Sequence, residues 1–134
     1  MGMDVCGKDP SSEVGREFRN NIWWWHPLAG YIVAHGPREV VGKCTHWHSN
    51  DGDGLEAHDA IRLADALQKL IDSGHTGSWA DWRKTRRTLP LLEPSLEGGG
   101  SGSCFFSEAD LDFDVANVQA FVIFLRACGG FSIW

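Results

Sequence analysis

At its centre the chain reads Cys44-Thr45-His46-Trp47-His48-Ser49-Asn50-Asp51-Gly52-Asp53-Gly54-Leu55. This stretch concentrates a thiol, two imidazoles and two carboxylates within ten residues. Such a composition suits a bound ligand, a metal ion or a backbone path that requires glycine. The sequence leaves these three interpretations open.

The segment that follows has the clearest pattern in the chain, that of an amphipathic helix. Apolar residues recur at spacings of three and four, at Ala60, Leu63, Ala64, Leu67, Leu70 and Ile71. Polar residues occupy the opposite side, which is typical of a helix with one face in the core. We expect Asp53 to cap its start, within one or two residues, and Gly74 to end it in the left-handed conformation.

The residues before the central stretch predict a strand and a helix. Residues 3–6 are typical of a short edge strand. A helix is predicted over 27–35, with a proline in its first turn, where the missing N–H is no loss. The segments 39–41 and 43–48 are predicted to be short extended pieces on either side of Gly42.

The C-terminal half predicts two further helices, a loop, a strand and a packed tail. A helix is predicted over 78–87 with Ser78 as its cap, and a flexible Gly/Ser loop at about 93–103. Acidic and apolar residues alternate over 108–114, which indicates a half-buried strand. Asp114 then suits the cap of an apolar helix at 115–128, and the last residues pack back as an extended tail.

Length and composition indicate one domain. The chain has 134 residues, of which 43% are hydrophobic and 22% charged, as is ordinary for a globular protein. Seven tryptophans are many for this size and predict an aromatic core or an aromatic recognition surface. We expect a single compact α+β domain spanning 1–134, with three or four helices packed on a small sheet and a Trp-rich core.

Charge and the absence of targeting signals limit the partners and the location. The net charge of −6 argues against broad binding to nucleic acid backbones. No signal peptide and no membrane-spanning apolar run occurs in the sequence. We therefore expect a cytoplasmic protein with reduced cysteines and no membrane partner.

A metal centre is the sharpest chemical hypothesis for the central stretch. Cys44, His46 and His48 alternate, so on a strand all three would face one side and share an ion such as zinc. Asp51 or Asp53 would complete the ligand set, and a zinc-bound water would support hydrolysis. The alternative is a buried cysteine and hydrogen-bonded histidines without metal, and therefore no cofactor.

Two other site hypotheses for this stretch are weaker. A calcium loop that places Asp53 at its fifth position has Ala60 where the bidentate glutamate belongs. A nucleophilic mechanism would need Cys44 as the nucleophile, a neighbouring histidine as the base and Asp51 as the orienting group. A glycine-rich turn with an aspartate cap, and a cysteine in the core, explain the same residues.

Three consecutive tryptophans, Trp23, Trp24 and Trp25, predict a binding surface. Neighbouring side chains on a helix point about 100° apart, so the three rings cannot all be buried on one face. At least one ring should be exposed or at an interface. This is the best argument in the sequence for a protein partner or a homodimer.

Two charged segments are further binding candidates. Basic residues lie beside Trp79 and Trp82, at Arg83, Lys84, Arg86 and Arg87. Basic and aromatic residues together suit single-stranded nucleic acid or an acidic protein, but a solvated helix face whose tryptophans point inward is the favoured explanation. The predicted strand at 108–114 carries a comb of carboxylates at Glu108, Asp110, Asp112 and Asp114, which neutralises the basic patch, mimics phosphates or is simply solvated.

Several separated segments together form a recognisable pattern. They are Met1-Gly2-Met3-Asp4-Val5 with Gly7, Phe18-Arg19 with Trp23, Trp25, Pro27 and Leu28, Cys44 with Trp47, Asn50 to Leu55, and Phe124-Leu125-Arg126-Ala127-Cys128-Gly129-Gly130-Phe131. The chain in this respect resembles a family of small uncharacterised bacterial and phage proteins. The resemblance implies no activity, but carriage by phages implies a role against host defences.

The favoured interpretation is a non-enzymatic protein-binding or regulatory protein, such as a phage or mobile-element inhibitor of a host defence system. It would act through the tryptophan triplet and the charged faces. The alternative is a metal-dependent hydrolase centred on Cys44, His46, His48, Asp51 and Asp53.

Overall fold

The structure, a computed structural model, describes residues 2–49, 52–88 and 113–134, without the side chains of 84–88. The predicted loop at 93–103 and most of the predicted strand at 108–114 lie outside these ranges. Within them the chain forms the predicted α+β fold, with helices packed on a small sheet and an aromatic core.

Four antiparallel strands form the sheet in the order β2–β1–β4–β3. Their bounds are Gly2–Gly7 for β1, Glu17–Asn21 for β2, Gly54–Glu56 for β3 and Gly130–Ile133 for β4. The first and last strands are neighbours at the centre, where Val5 is paired with Ile133. The prediction that residues 3–6 form an edge strand is therefore wrong in position, because β4 pairs with the free side of β1.

Five α-helices occur in the described ranges. Their bounds are Ile22–His35 for α1, Arg38–Val41 for α2, Ala57–Asp72 for α3, His75–Thr88 for α4 and Val115–Ala127 for α5, and a short 3₁₀ helix spans Glu13–Gly15. The amphipathic helix α3 and the mainly apolar helix α5 pack against each other, and their inner faces contact the sheet. Asp114 caps α5 as predicted, since its carboxylate accepts from the Asn117 N–H at 2.8 Å.

The helix α1 begins five residues earlier than the sequence predicts. The side-chain oxygen of Asn21 accepts hydrogen bonds from the backbone N–H groups of Trp23 and Trp24, at 3.0 and 3.2 Å, which caps the first turn. Pro27 is thus an internal residue of α1 and removes one helical hydrogen bond. The helix α4 also begins earlier than predicted, three residues before Ser78. Residues 38–41 form one helical turn, so the prediction of an extended piece there is wrong.

Aromatic side chains fill the core between α1, α5 and the sheet. Trp25, Tyr31, Phe121, Phe124 and Phe131 are all fully buried. The Trp25 ring meets Phe121 edge-on with centroids 5.7 Å apart, a geometry that aromatic pairs prefer. Together with Trp47, which is also buried, these rings make up the predicted Trp-rich aromatic core.

Candidate functional site

The central stretch does not form the predicted strand. Residues 43–48 follow an irregular turn, so the alternation of Cys44, His46 and His48 does not place them on one side. Cys44 is buried at 2% exposure, whereas the two histidines are exposed. In the part of the chain that the structure describes, which omits Asp51, no group of three His, Cys, Asp or Glu side chains could hold a metal ion.

Asp53 caps this turn instead of the helix α3. Its carboxylate accepts from the backbone N–H groups of Thr45, His46 and Gly54, at 2.7, 2.9 and 2.9 Å. Burial opposes the charge, but these three donors and the neighbouring His46 ring outweigh it and lower the pKa of Asp53. The prediction that Asp53 caps α3 is wrong, because β3 intervenes and α3 begins at Ala57.

The two glycines of this stretch are required by the backbone. Gly52 has a left-handed φ of 93°, and a Cβ added there would lie 2.7 Å from the Trp134 ring. A Cβ on Gly54 would overlap the carbonyl oxygen of Phe131, because β3 and β4 run close together. The Gly52 N–H donates to Ile133 at 2.7 Å, which ties the turn to the last strand. Of the three interpretations of the stretch, a demanding backbone path accounts for these residues.

Beside this turn, two histidines from different elements meet. The Nδ1 atoms of His26 on α1 and His48 in the turn lie 2.8 Å apart, with ring centroids 4.9 Å apart. Burial lowers the pKa of His26, so its ring stays neutral at neutral pH. No sequence pattern singles out His26, because it lies 22 residues before its partner.

An open depression of about 550 Å³ lies on the same side of the molecule. It is lined by Val33 of α1, by Val41 and Gly42, and by Cys44 to Ser49. The lining is mainly apolar, with the imidazoles of His46 and His48 among its few polar groups. The depression therefore joins the turn to the solvent side of α1.

The solvent side of α1, formed by Trp23, His26, Gly30 and Val33, is here called the outer face. Trp23 and Val33 are 37% and 48% exposed, and the other two residues are half-buried. None of the 14 residues of α1 is Asp, Glu, Lys or Arg. A helix without charge is normally buried all round, and this one is not.

The structure separates the three tryptophans of the triplet. Trp25 lies in the core, where its indole N–H donates to the Trp47 carbonyl at 2.6 Å. Trp24 is half-buried and Trp23 is exposed, which confirms that at least one ring reaches the surface. Only Trp23 and Trp24 are therefore accessible to a partner.

Few side chains of the two charged segments lie among the described residues. Arg83 is only 6% exposed, and its guanidinium lies 6.0 Å from the centroid of the Phe113 ring, so it belongs to the interior. The described part of the chain does not include the side chains of Arg86 and Arg87, or any atom of Asp110 and Asp112. The proposed binding roles of these four residues remain predictions.

A second pair of histidines packs where α1 meets α4. The Tyr31 hydroxyl hydrogen-bonds with His75 Nδ1 at 2.7 Å and with the Thr76 hydroxyl at 2.9 Å. The His35 ring meets the His75 ring edge-on with centroids 4.7 Å apart, and the Nε2 atom of His35 is buried without a hydrogen-bond partner. Burial, and then the charge of His75, lower the pKa of His35, whereas burial raises that of Tyr31. This cluster holds α4 against α1.

Comparisons with known proteins leave the geometry as the basis for function. No protein-family model, no curated protein sequence and no solved structure matches the chain. Over the described ranges, no helix has the length and apolar character needed to cross a membrane. The three described cysteines, Cys6, Cys44 and Cys128, form no disulfide.

Proposed function

We propose that this chain is a non-enzymatic binding protein whose outer face of α1 contacts another protein. The observation that carries the proposal is the charge-free sequence of α1 combined with the exposure of Trp23 and Val33. Exposed apolar side chains that form a continuous face, particularly with tryptophan, are typical of protein interfaces.

Two exposed apolar residues on other helices lack this setting. Ile61 on α3 is followed by Arg62, whose guanidinium binds the Glu39 carboxylate at 3.0 Å. Ile123 on α5 lies one helical turn before Arg126, which pairs with Asp65 at 2.8 Å. Single apolar side chains among ion pairs are ordinary on a protein surface. The outer face of α1 is different because no charged side chain interrupts it over about three helical turns, from Trp23 to Val33.

Gly30 supports the same proposal. A Cβ added at this position would have nothing within 4 Å, so neither packing nor backbone conformation requires glycine there. Glycine inside a helix lowers stability by roughly 0.5–1 kcal/mol relative to alanine. A glycine that the fold does not use, at the middle of an exposed apolar face, allows a partner's backbone to approach closely.

The chemistry of the face defines the partner class. It offers apolar contact and the imidazole of His26 but no charged side chain, so it suits an apolar, uncharged patch on the partner. The depression lined by Val33 and Val41 extends this surface and suits an anchoring side chain. The resemblance to bacterial and phage proteins makes host defence proteins the first partners to screen, with this chain as an inhibitor.

The hydrolase alternative gains no comparable support. Among the described residues, His46 and Asp53 lie 3.3 Å apart, but the Asp53 carboxylate is occupied by three backbone N–H groups of the turn. Cys44 is buried, and its alternation with the histidines is not realised in space.

Site-specific photocrosslinking tests the proposal. A photoreactive amino acid is placed at Val33, and the matched control carries it at Ile123, which is equally exposed at 48%. We expect an adduct with one host protein from position 33 only. The affinity of that purified protein should fall at least about tenfold with Trp23→Ala and with Val33→Asp, and stay unchanged with Ile123→Asp.

Two results would contradict the proposal. One is an adduct pattern that is the same at both positions, and the other is an affinity that Val33→Asp leaves intact. An adduct between two copies of the chain, with a concentration-dependent mass in sedimentation velocity, would replace the foreign partner by a homodimer.

A further inference from the structure

We propose that the outer edge of the strand β2 pairs with the β2 edge of a second copy of the chain, so that two sheets join into one antiparallel sheet. The pairing is centred on Phe18, with Glu17 of each copy opposite Arg19 of the other. It uses neither the outer face of α1 nor the partner proposed for that face, and it does not depend on them.

The backbone of β2 presents hydrogen-bonding groups on its outer edge. This strand lies at one end of the sheet and pairs only on its inner side with β1 among the described residues. The Gly7 N–H donates to the Arg16 carbonyl at 2.9 Å, and in an antiparallel ladder alternate residues hydrogen-bond to the neighbouring strand. The backbone groups of Phe18 therefore point towards β1, whereas those of Glu17 and Arg19 point away from the sheet.

These outward groups form a template for a further strand. In the ranges that the structure describes, no other strand pairs with this edge. The Arg19 carbonyl accepts from the Asn20 side chain at 3.1 Å, which leaves one of its two lone pairs for another donor. Rows of N–H and C=O groups along an edge strand favour pairing with another chain. A second β2 supplies the matching groups, since antiparallel pairing about a twofold axis is self-complementary.

The charges on β2 select one register of self-pairing. Glu17 and Arg19 are exposed on the same side of the strand, because the side chain between them points towards α5. Centring the pair on Glu17 or on Arg19 would place like charges directly opposite each other, which is destabilising. Centring it on Phe18 places a carboxylate opposite a guanidinium twice. Of the registers centred within residues 17–19, this one is favoured by its charges.

Charged residues on an edge strand can also serve to prevent pairing. Charges of one sign do so by repelling a second copy, but β2 carries one charge of each sign, two residues apart. Within one copy the Arg19 guanidinium binds Asp4 at 2.8 Å and lies 3.4 Å from the Glu17 carboxylate. In the pair, each Arg19 would lie between Asp4 of its own chain and Glu17 of the second copy. The alternation of sign therefore favours association in one register.

Phe18 adds apolar contact at the centre of the pair. Its ring packs on Phe121 with centroids 5.0 Å apart, yet its side chain is only half-buried. Opposite side chains approach most closely at a position without backbone hydrogen bonds, so the two Phe18 rings would cover each other. A strand of five residues buries less than the roughly 1,200 Å² of a standard interface. We therefore expect a weak, concentration-dependent dimer.

Sedimentation velocity of the full chain between about 10 μM and about 1 mM tests the pairing. The mass should rise with concentration towards that of a dimer. Glu17→Arg and Arg19→Glu should each weaken association at least about tenfold, because each places like charges opposite each other twice. The matched control is Arg126→Glu, which removes an exposed ion pair of the same 2.8 Å length and should leave the dimer unchanged.

Mixing the two variants separates loss of pairing from damage to the fold. In a mixture of Glu17→Arg and Arg19→Glu chains, every opposed pair again has opposite signs, so a mixed dimer should form although neither variant dimerises alone. A monomer over the whole concentration range, a dimer that both variants leave intact, or no association in the mixture would overturn the proposal. Loss of the dimer with Val33→Asp would also overturn it, because the contact would then belong to the outer face of α1.

Discussion

The two faces of α1 are both apolar, but the fold uses only one of them. The inner face buries Trp25, Leu28 and Ile32 completely against α5 and the sheet. The outer face carries Trp23, Gly30 and Val33 into solvent and has no charged side chain to interrupt it. The inner face is explained by stability alone, whereas the outer face needs a different reason, which we take to be a partner.

The largest effect should come from the inner face. Trp25→Ala is expected to lower the free energy of unfolding by about 3–5 kcal/mol, because it removes a fully buried indole and the hydrogen bond to Trp47. Trp23→Ala is the matched control and should change it by less than about 1 kcal/mol. Urea denaturation of both variants measures the difference. Equal losses would mean that the outer face also stabilises the fold.

The next largest effect should come from the turn that receives the Trp25 indole. Asp53→Ala removes the acceptor for three backbone N–H groups and should lower the free energy of unfolding by about 2 kcal/mol. Asp72→Ala serves as the control, because among the described residues that exposed carboxylate accepts one hydrogen bond, from the Gln68 side chain, and should matter little. A small loss for Asp53→Ala would show that the turn is held by its glycines and strand pairing alone.

A smaller effect of opposite sign is expected at Gly30. Gly30→Ala should raise the free energy of unfolding by roughly 0.5–1 kcal/mol, since the added methyl group meets nothing within 4 Å. The same substitution at Gly36, which ends this helix, should destabilise, because its Cβ would lie 2.7 Å from the Ile32 carbonyl oxygen. If Gly30 serves a partner, Gly30→Ala should also weaken the complex while stabilising the free chain.

The smallest expected effect is the change in the free energy of unfolding with pH, because the histidine side chains involved are only partly buried. The pKa values of His35 and His26 lie below their ordinary 6.5 in the folded chain. Between the folded pKa and 6.5, the unfolded chain therefore binds more protons than the folded chain. The stabilisation from the neutral rings is fully present above pH 6.5 and falls as the pH is lowered from there to the folded pKa. Urea midpoints between pH 5 and pH 8 test this.

A variant assigns this pH dependence to one residue. His35→Gln should reduce the slope of stability against pH. The side chain that packs against His75, Tyr31 and Trp79 then no longer titrates. An unchanged slope in His35→Gln would assign the dependence to His26 or to other groups.

The sequence predicted those elements whose signals are local. The apolar spacing over 60–71 specified α3, and Gly74 ends it with a left-handed φ of 89°. Asp114 caps α5, and the residues after it return to the sheet as an extended strand. Helical periodicity and capping depend on neighbours within one turn, so they can be read from the chain without knowledge of the fold.

The contacts between distant segments were decided only by the tertiary structure. The place of β1 at the sheet centre depends on pairing with β4, more than 100 residues later. Asp53 caps a turn of residues 44–47 instead of a helix, because β3 must first pair with the C-terminal strand. The pairing of His26 with His48, and the exposure of one face of α1, arise from packing that no local pattern encodes. The sequence by itself determined α3, α5 and the cap of α5, because these depend on neighbours within one turn, whereas the tertiary structure decided which side chains meet and which apolar face stays exposed.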